Sequence, residues 1–307
     1  MKSKRRSLIS LNDIRTPELV DLVARSVAFS SGATSAALDG RNIGIFFTKT
    51  STRTRTAFSV GAQKLGAGII SFAPSDLQLS TGESIEDTAH VLSLMLDGLV
   101  IRTAGDPAEM IAFAAHGRMA VVNAMSAEEH PTQAIADLAT MHRHFGRIEG
   151  LTVLYVGEGN NTAAALALGL ARFAGVTLEL RTPKGYGIDR RIIAAAHDIA
   201  RENGARIVER HDMHELPIQA DVVYATRWQT TGTTKPDPDW RSVFAPFKVD
   251  GGLMKHCRNA VFMHDLPAHR GEDVTADVID GPRSIAFLQA SFKLYSAMAV
   301  LEWSIPN

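Results

Sequence analysis

Short apolar runs alternate with longer helical stretches along most of the chain, the pattern of an α/β protein built on parallel sheets. In the first half, residues 43–47 read as a buried strand, and residues 68–72, 98–101 and 120–123 as further strands. The 3.6-residue spacing between them predicts helices over residues 53–65, ending at Gly66, over 84–96, and from Pro131 to about His144. The pattern restarts with strands at 151–156, 177–180, 205–208, 221–225 and 260–263. Helices are expected at 162–173 and 190–203, and a last one at about 288–303 has no strand after it. Near the start, Thr16 is placed as N-cap with Pro17 at the first helical position, and Leu19, Val20, Leu22, Val23 and Val27 supply the buried stripe.

The expected fold is therefore α/β, two domains each with a central, mainly parallel sheet flanked by helices. The polar turn from His144 to Gly150 is the expected junction. That sets one domain at 1–146, a second at 147–287, and a C-terminal helix at 288–307. A chain of 307 residues can bury two such cores. No internal repeat, low-complexity stretch or proline-rich linker interrupts the pattern.

Composition narrows the class. A formal net charge of −1 argues against broad electrostatic binding to nucleic acid or an anionic membrane. Cys257 is the single cysteine, so an internal disulfide and a thiolate-rich metal site are excluded, and the reducing cytoplasm is the expected compartment. The start MKSKRRSLIS is basic but has no long apolar run behind it, so a signal peptide is not expected. No apolar run reaches the roughly 20 residues of a membrane span.

The segment with most chemistry is Phe47-Thr48-Lys49-Thr50-Ser51-Thr52-Arg53-Thr54-Arg55, where an apolar strand gives way to a helix. A helix start presents unpaired amides and a positive dipole end, and arginine adds charge-assisted, bidentate bonds to phosphate oxygens. The plainer reading is a solvated Ser/Thr/Arg turn that only caps the helix. The run does not stand alone, however. Asp76-Leu77-Gln78-Leu79 with Gly82-Glu83-Ser84-Ile85-Glu86-Asp87-Thr88, then Ile101-Arg102-Thr103, Asn123, His130-Pro131-Thr132-Gln133, and Phe262-Met263-His264 with Leu266-Pro267-Ala268 follow in order. Together they resemble the aspartate/ornithine carbamoyltransferase family over nearly the whole chain, closest to its ornithine branch.

The resemblance implies transfer of the carbamoyl group of carbamoyl phosphate to the amino group of a small amino acid. The acceptor would be of ornithine type (L-ornithine and carbamoyl phosphate giving L-citrulline and phosphate) or a related short diamino acid. Alternatives are an aspartate-type acceptor and a catalytically inactive paralogue that only binds carbamoyl phosphate. By the same resemblance, residues 1–146 bind carbamoyl phosphate, 147–287 bind the acceptor, and the last helix returns to the first domain. Ser51, Thr52, Arg53, Thr54 and Arg102 would hold the phosphate, and Arg102, His130 and Thr54 would polarise the carbonyl oxygen. Gln133 and the backbone carbonyl of Leu266 would hold the carbamoyl NH2, with Lys293 also at the donor and Gln78 supplied by an adjacent chain. A cis Leu266-Pro267 bond, a homotrimer with shared active sites and a place in amino-acid metabolism such as arginine biosynthesis complete the expectation. Neither a metal nor another cofactor is called for.

The acceptor side is a hybrid. Gly157-Glu158-Gly159-Asn160-Asn161 resembles the ornithine branch, which carries amino-acid contact to Asn161. Thr226 stands where that branch has an aspartate, and Thr230-Thr231-Gly232 replaces its Ser-Met-Gly. Thr226-Arg227-Trp228-Gln229 instead looks like the aspartate branch, whose arginine binds a side-chain carboxylate. Asp265 occupies the ornithine-branch cysteine position and Lys293 that of an arginine. Candidate acceptor residues are thus Asn161, Thr226, Arg227, Gln229 and Asp265, and candidate catalytic residues Arg102, His130, Thr54 and Asp265. The resulting charge pattern predicts an acceptor with a cationic group near Asp265 and a carboxylate near Arg227. Gly157-x-Gly159 after a strand also suggests a dinucleotide-binding dehydrogenase, but the third glycine position is Thr162, which makes that match weak.

Overall fold

The computed structural model describes residues 5–306. The basic start up to Lys4 lies outside the described residues. The chain divides into two compact units, one formed by Met1–Thr140 with Ser291–Asn307 and the other by Met141–Ala290.

In the first unit the order is α1 (Thr16–Ser30), β1 (Asn42–Phe47), α2 (Arg53–Lys64), β2 (Gly68–Phe72), α3 (Ile85–Ser93), β3 (Gly98–Arg102), α4 (Ala108–Ala114), β4 (Ala120–Asn123) and α5 (Pro131–Phe145), whose residues from Met141 onward belong to the second unit. Its four strands pair in parallel in the order β2-β1-β3-β4. β1, β3 and β4 are almost wholly buried apolar runs, as expected of strands covered by helices on both faces. The cap of α1 falls one residue earlier than expected, because the Arg15 amide donates to the Glu18 carboxylate at 3.2 Å. Val20 is 42% exposed rather than part of the buried stripe, which Leu19, Leu22, Val23, Ser26 and Phe29 form instead. α3 ends three residues short of its expected end.

The second unit runs β5 (Thr152–Val156), α6 (Asn161–Leu170), β6 (Thr177–Arg181), α7 (Arg190–Asn203), β7 (Arg206–Arg210), β8 (Val222–Ala225), α8 (Trp240–Phe244), α9 (Gly251–His256), β9 (Val261–His264) and α10 (Ala276–Ile279). α11 (Ala286–Ser304) leaves it, and the residues from Ser291 onward belong to the first unit. The five strands are again parallel, in the order β7-β6-β5-β8-β9. α6 is buried along its whole length, so its alanine-rich sequence follows from packing on every side.

Both sheets reverse their winding once, between β1 and β3 in the first unit and between β5 and β8 in the second. Connections leave in opposite directions at such a point, so a crevice opens beyond the carboxyl ends of the two strands. The residues that follow β1, β3, β5 and β8 are those singled out by their chemistry above.

Candidate active site

In the first unit, β1 and β3 end level, with Phe47 paired to Arg102 and the Thr48 amide donating to the Arg102 carbonyl at 2.9 Å. Arg102 is therefore held at the switch point as a buried residue, 7% exposed. Beyond β1 the chain reaches α2, whose N-cap Thr52 makes no side-chain capping bond. Ser51 and Arg53 are half-buried, Thr52 is exposed, and Thr54 is buried in the first turn. Arg55 takes another course: it donates to Ser71 Oγ at 2.8 Å and lies over the Phe47 ring, so it is not one of the recess-lining residues.

His130 reaches the same region from β4. Asn123 accepts from the Met125 amide at 3.0 Å and donates to the Ile9 carbonyl at 2.8 Å. Glu129 accepts from the Leu11 amide at 2.7 Å. This buried bracing fixes the turn that delivers His130 just ahead of α5. Thr54, His130, Thr132 and Lys293 line one recess, with Ala57 and Phe58 as its apolar wall. Burial pushes the His130 imidazole well below its ordinary value, and the charges of Lys293 and Arg102 push it the same way. At neutral pH it is an uncharged ring beside two cations, able to donate one hydrogen bond. Gln133 donates to Asp137 at 2.7 Å and accepts from Lys293 Nζ, leaving its carbonyl oxygen one further lone pair. Gln78, in a short turn at Gln78–Thr81, is exposed, accepts from the Thr81 hydroxyl and does not line the recess.

In the second unit, Val156 pairs with Ala225 and Ala225 with His264, so the next residues of three strands, Gly157, Thr226 and Asp265, come out side by side. Gly157 has φ +134, and a Cβ there would lie 3.0 Å from the Thr226 methyl. A Cβ on Gly159 would sit 2.4 Å from the Gly187–Ile188 backbone. Both glycines are accounted for by the turn and its packing, not by approach to a dinucleotide.

The Asp265 carboxylate is the centre of a hydroxyl network. Thr162 Oγ1 donates to it at 2.9 Å and Thr226 Oγ1 at 3.1 Å, while Asn160 Nδ2 donates to Thr226 Oγ1 at 3.2 Å. Asn160 also caps α6 by accepting from the Thr162 and Ala163 amides. Asn161 is the buried first residue of that helix. The Asp265 side chain is 15% exposed, and the nearest ionisable nitrogen is His264 Nδ1 at 3.5 Å. That nitrogen accepts the Leu266 amide at 2.8 Å, so the ring proton sits on Nε2, which donates to Asp273 at 2.7 Å. Among the described residues, no cation therefore neutralises Asp265. The same His264–Asp273 pair orders the loop that follows, where Leu266 has φ +55 and the Leu266-Pro267 bond is cis. A positive φ on leucine is a strained conformation that its surroundings must hold.

Arg227 is half-buried and makes no hydrogen bond or ion pair among the described residues. Gln229 donates to the Thr233 carbonyl at 2.9 Å. Asn160, Thr162, His264 and Asp273, which surround or orient the Asp265 turn, were missed by sequence reasoning. Only the strand register brings Asn160 and Thr162 beside Thr226 and Asp265, although the Gly-Glu-Gly-Asn-Asn turn flagged the neighbourhood.

Two doubly wound α/β units, one with a recess lined by Lys293 and a neutral His130 and one with a carboxylate that no cation neutralises among the described residues, each offer a place for a polar small molecule. Comparison with known proteins makes this specific. The family described as aspartate/ornithine carbamoyltransferase, carbamoyl-P binding domain, matches residues 6–143, and its Asp/Orn binding domain matches residues 149–304. The chain is 37% identical over 301 residues to ornithine carbamoyltransferase of Carboxydothermus hydrogenoformans, covering 96% of each chain. It is 38% identical over 301 residues to that of Caldicellulosiruptor saccharolyticus, covering 96% of this chain and 97% of the relative. Among solved structures, ornithine carbamoyltransferase from Pyrococcus furiosus superposes with a TM-score of 0.90 at 34% identity, over 99% of this chain and 98% of that one. The enzyme from Gloeobacter violaceus gives 0.88 at 34% identity, over 98% and 99%. The chain belongs to the aspartate/ornithine carbamoyltransferase family and is a carbamoyltransferase. Among the described residues, no helix is long and apolar enough to cross a membrane.

Proposed function

We propose that this enzyme transfers the carbamoyl group of carbamoyl phosphate to the side-chain amine of a diamino acid of the ornithine type. The observation that carries the acceptor half is the Asp265 carboxylate, mostly buried, bound by two hydroxyls and, among the described residues, left without a cation. A carboxylate has about four lone-pair positions, so two remain for a donor from outside. Burying a charge without a counter-charge is unfavourable, and an acceptor ammonium removes that penalty. The relatives cited above are named ornithine carbamoyltransferases, which favours this acceptor over aspartate.

On the donor side, the α2 start with Ser51, Thr52, Arg53 and Thr54, together with Arg102 and Lys293, takes the phosphate. His130, being neutral, donates a hydrogen bond to the carbamoyl oxygen without competing for the phosphate as a cation. Arg102 and Thr54 add to that stabilisation, which is worth roughly 2.7–4 kcal/mol per donor in comparable sites. The docked ammonium first loses a proton to solvent, and the free amine attacks the carbonyl carbon to form a tetrahedral oxyanion. The bond to the bridging oxygen then breaks, and phosphate leaves with the electron pair, taking the second proton from the attacking nitrogen. Gln133 and the Leu266 carbonyl receive the carbamoyl NH2. Asn161, Arg227 and Gln229 address the acceptor's α-amino and carboxylate groups, and Gln78 serves a neighbouring copy in a homotrimer.

Phosphate release and ureido product, measured with carbamoyl phosphate against ornithine, 2,4-diaminobutyrate, 2,3-diaminopropionate, putrescine and aspartate, test the reading. Saturable turnover with a diamino acid is expected. Preference for aspartate, or donor binding with no turnover of any amine, overturns it.

A further inference from the structure

The loop between β8 and α8, residues 226–239, carries Arg227 and Gln229, and one carboxylate outside the loop ties it down twice. Glu158, in the turn after β5, accepts from the Thr230 amide at 3.1 Å and the Thr230 hydroxyl at 2.7 Å on one oxygen. Its other oxygen accepts from Lys235 Nζ at 2.6 Å. Lys235 is buried to an unusual degree for a lysine, with a side-chain exposure of 3%. Its ammonium lies against the rings of Tyr186, Phe244 and Trp240, at 4.3, 4.6 and 5.3 Å from their centroids. Trp228, from the loop itself, completes that aromatic cluster.

A buried ammonium is tolerated only when it is paired, and this one has a full carboxylate partner and three π faces around it. Neither Glu158 nor Lys235 is among the groups assigned to the carbamoyl chemistry, so the arrangement has a different purpose. Glu158 lies two and three residues before Asn160 and Asn161, while Thr230 and Lys235 lie on the far side of Arg227 and Gln229 in the chain. The pair therefore joins the two segments of the second unit that hold the acceptor candidates. We infer that Glu158 and Lys235 form a latch that positions the 226–239 loop for the acceptor before it arrives. This rests on the reading of that loop as acceptor-binding. A loop already ordered spares the acceptor the entropy of ordering it, so the latch acts on acceptor affinity and not on the chemical step.

Lys235→Met keeps the packing against the rings and removes the charge. Glu158→Gln keeps the shape and breaks the pair from the other side. In either variant the acceptor KM is expected to rise on the order of 10-fold, with kcat and the carbamoyl phosphate KM little changed. Hydrogen exchange of the amides in residues 226–239 is expected to accelerate while β5 and β6 remain protected. Lys235→Arg, which retains a cation, should recover part of the loss. A merely structural role would instead speed exchange throughout the second unit and lower the active fraction, and so kcat. Unchanged acceptor KM, or unchanged exchange in 226–239, overturns the latch. Should Lys235→Met fail to fold, Glu158→Gln carries both readouts. Exchange in the loop also separates the two ideas: it responds to the variants whether or not any diamino acid is turned over.

Discussion

Asp265→Asn isolates the charge at the centre of the hydroxyl network. The substitution keeps the shape of the side chain, and its two partners are hydroxyls, at 2.9 Å from Thr162 and 3.1 Å from Thr226. A hydroxyl both donates and accepts, so Thr162 or Thr226 can turn to receive the new amide hydrogens and the fold keeps its bonds. The cost to stability is then expected to be within about 1 kcal/mol, read as a small shift in Tm. Binding differs, because an ammonium that met a carboxylate now meets a neutral amide. A hydrogen bond to a charged group contributes about 1.5–3 kcal/mol, which converts to a roughly 10- to 150-fold fall in kcat/KM for the diamino acid. Side-chain exposure of 15% leaves little solvent to screen the loss. The assay is steady-state kinetics with acceptor and donor varied separately, on protein whose Tm has been checked. An acceptor kcat/KM within about 3-fold of the parent enzyme, at unchanged Tm, refutes the argument. So does an equal loss in the apparent affinity for carbamoyl phosphate, because Asp265 would then act on the donor.

Three further outcomes follow from the geometry. Lys293→Met removes a cation from the recess and is expected to raise the carbamoyl phosphate KM roughly 10- to 100-fold while sparing the acceptor KM; equal effects on both substrates contradict the assignment. His130 has its folded-state pKa well below the ordinary 6.5, so folded and unfolded chains are alike above that value. As pH falls through it the unfolded chain takes up a proton that the folded one refuses, and stability is lost. The Tm advantage of the parent over His130→Gln should therefore shrink between pH 7.5 and about pH 5, and a constant gap would count against a buried neutral ring. Gly159→Ala would push a methyl to 2.4 Å from the Gly187–Ile188 backbone. It should destabilise the second unit by about 1–3 kcal/mol or more in urea unfolding, and a neutral result would show that this turn can shift.

Much of the architecture was legible along the chain because a buried parallel strand must be a short apolar run and a covering helix must repeat every 3.6 residues. Residues 120–123 and 190–203 fell where expected for that reason, whereas 68–72 forms a strand at the sheet edge that is largely exposed. Deviations came where local pattern and packing compete: Val20 has the right residue type for the stripe but sits at the edge of the face that α1 buries. The short helices α8, α9 and α10 have too few turns to display a period. α4 escaped notice for the same reason.

For the site, residue type and order nominated Ser51 to Thr54, Arg102 and His130, since an anion needs amides, hydroxyls and guanidinium groups together, and of these the structure brings Thr54 and His130 into one recess. What the linear chain could not express is register. Pairing of Phe47 with Arg102, and of Val156 with Ala225 and Ala225 with His264, decides which side chains meet at each switch point. A separate pairing, of Ile45 with Ser71, puts Ser71 within reach of Arg55, and the second-unit pairings bring Thr162 and Thr226 to Asp265. They also turn an isolated Glu158 and a distant Lys235 into a pair. Sequence alone thus determined the kinds of chemistry available and the two-unit frame. Tertiary structure decided which charges are neutralised and which are left for a ligand, because an electrostatic interaction depends on a separation in space that no spacing along the chain encodes.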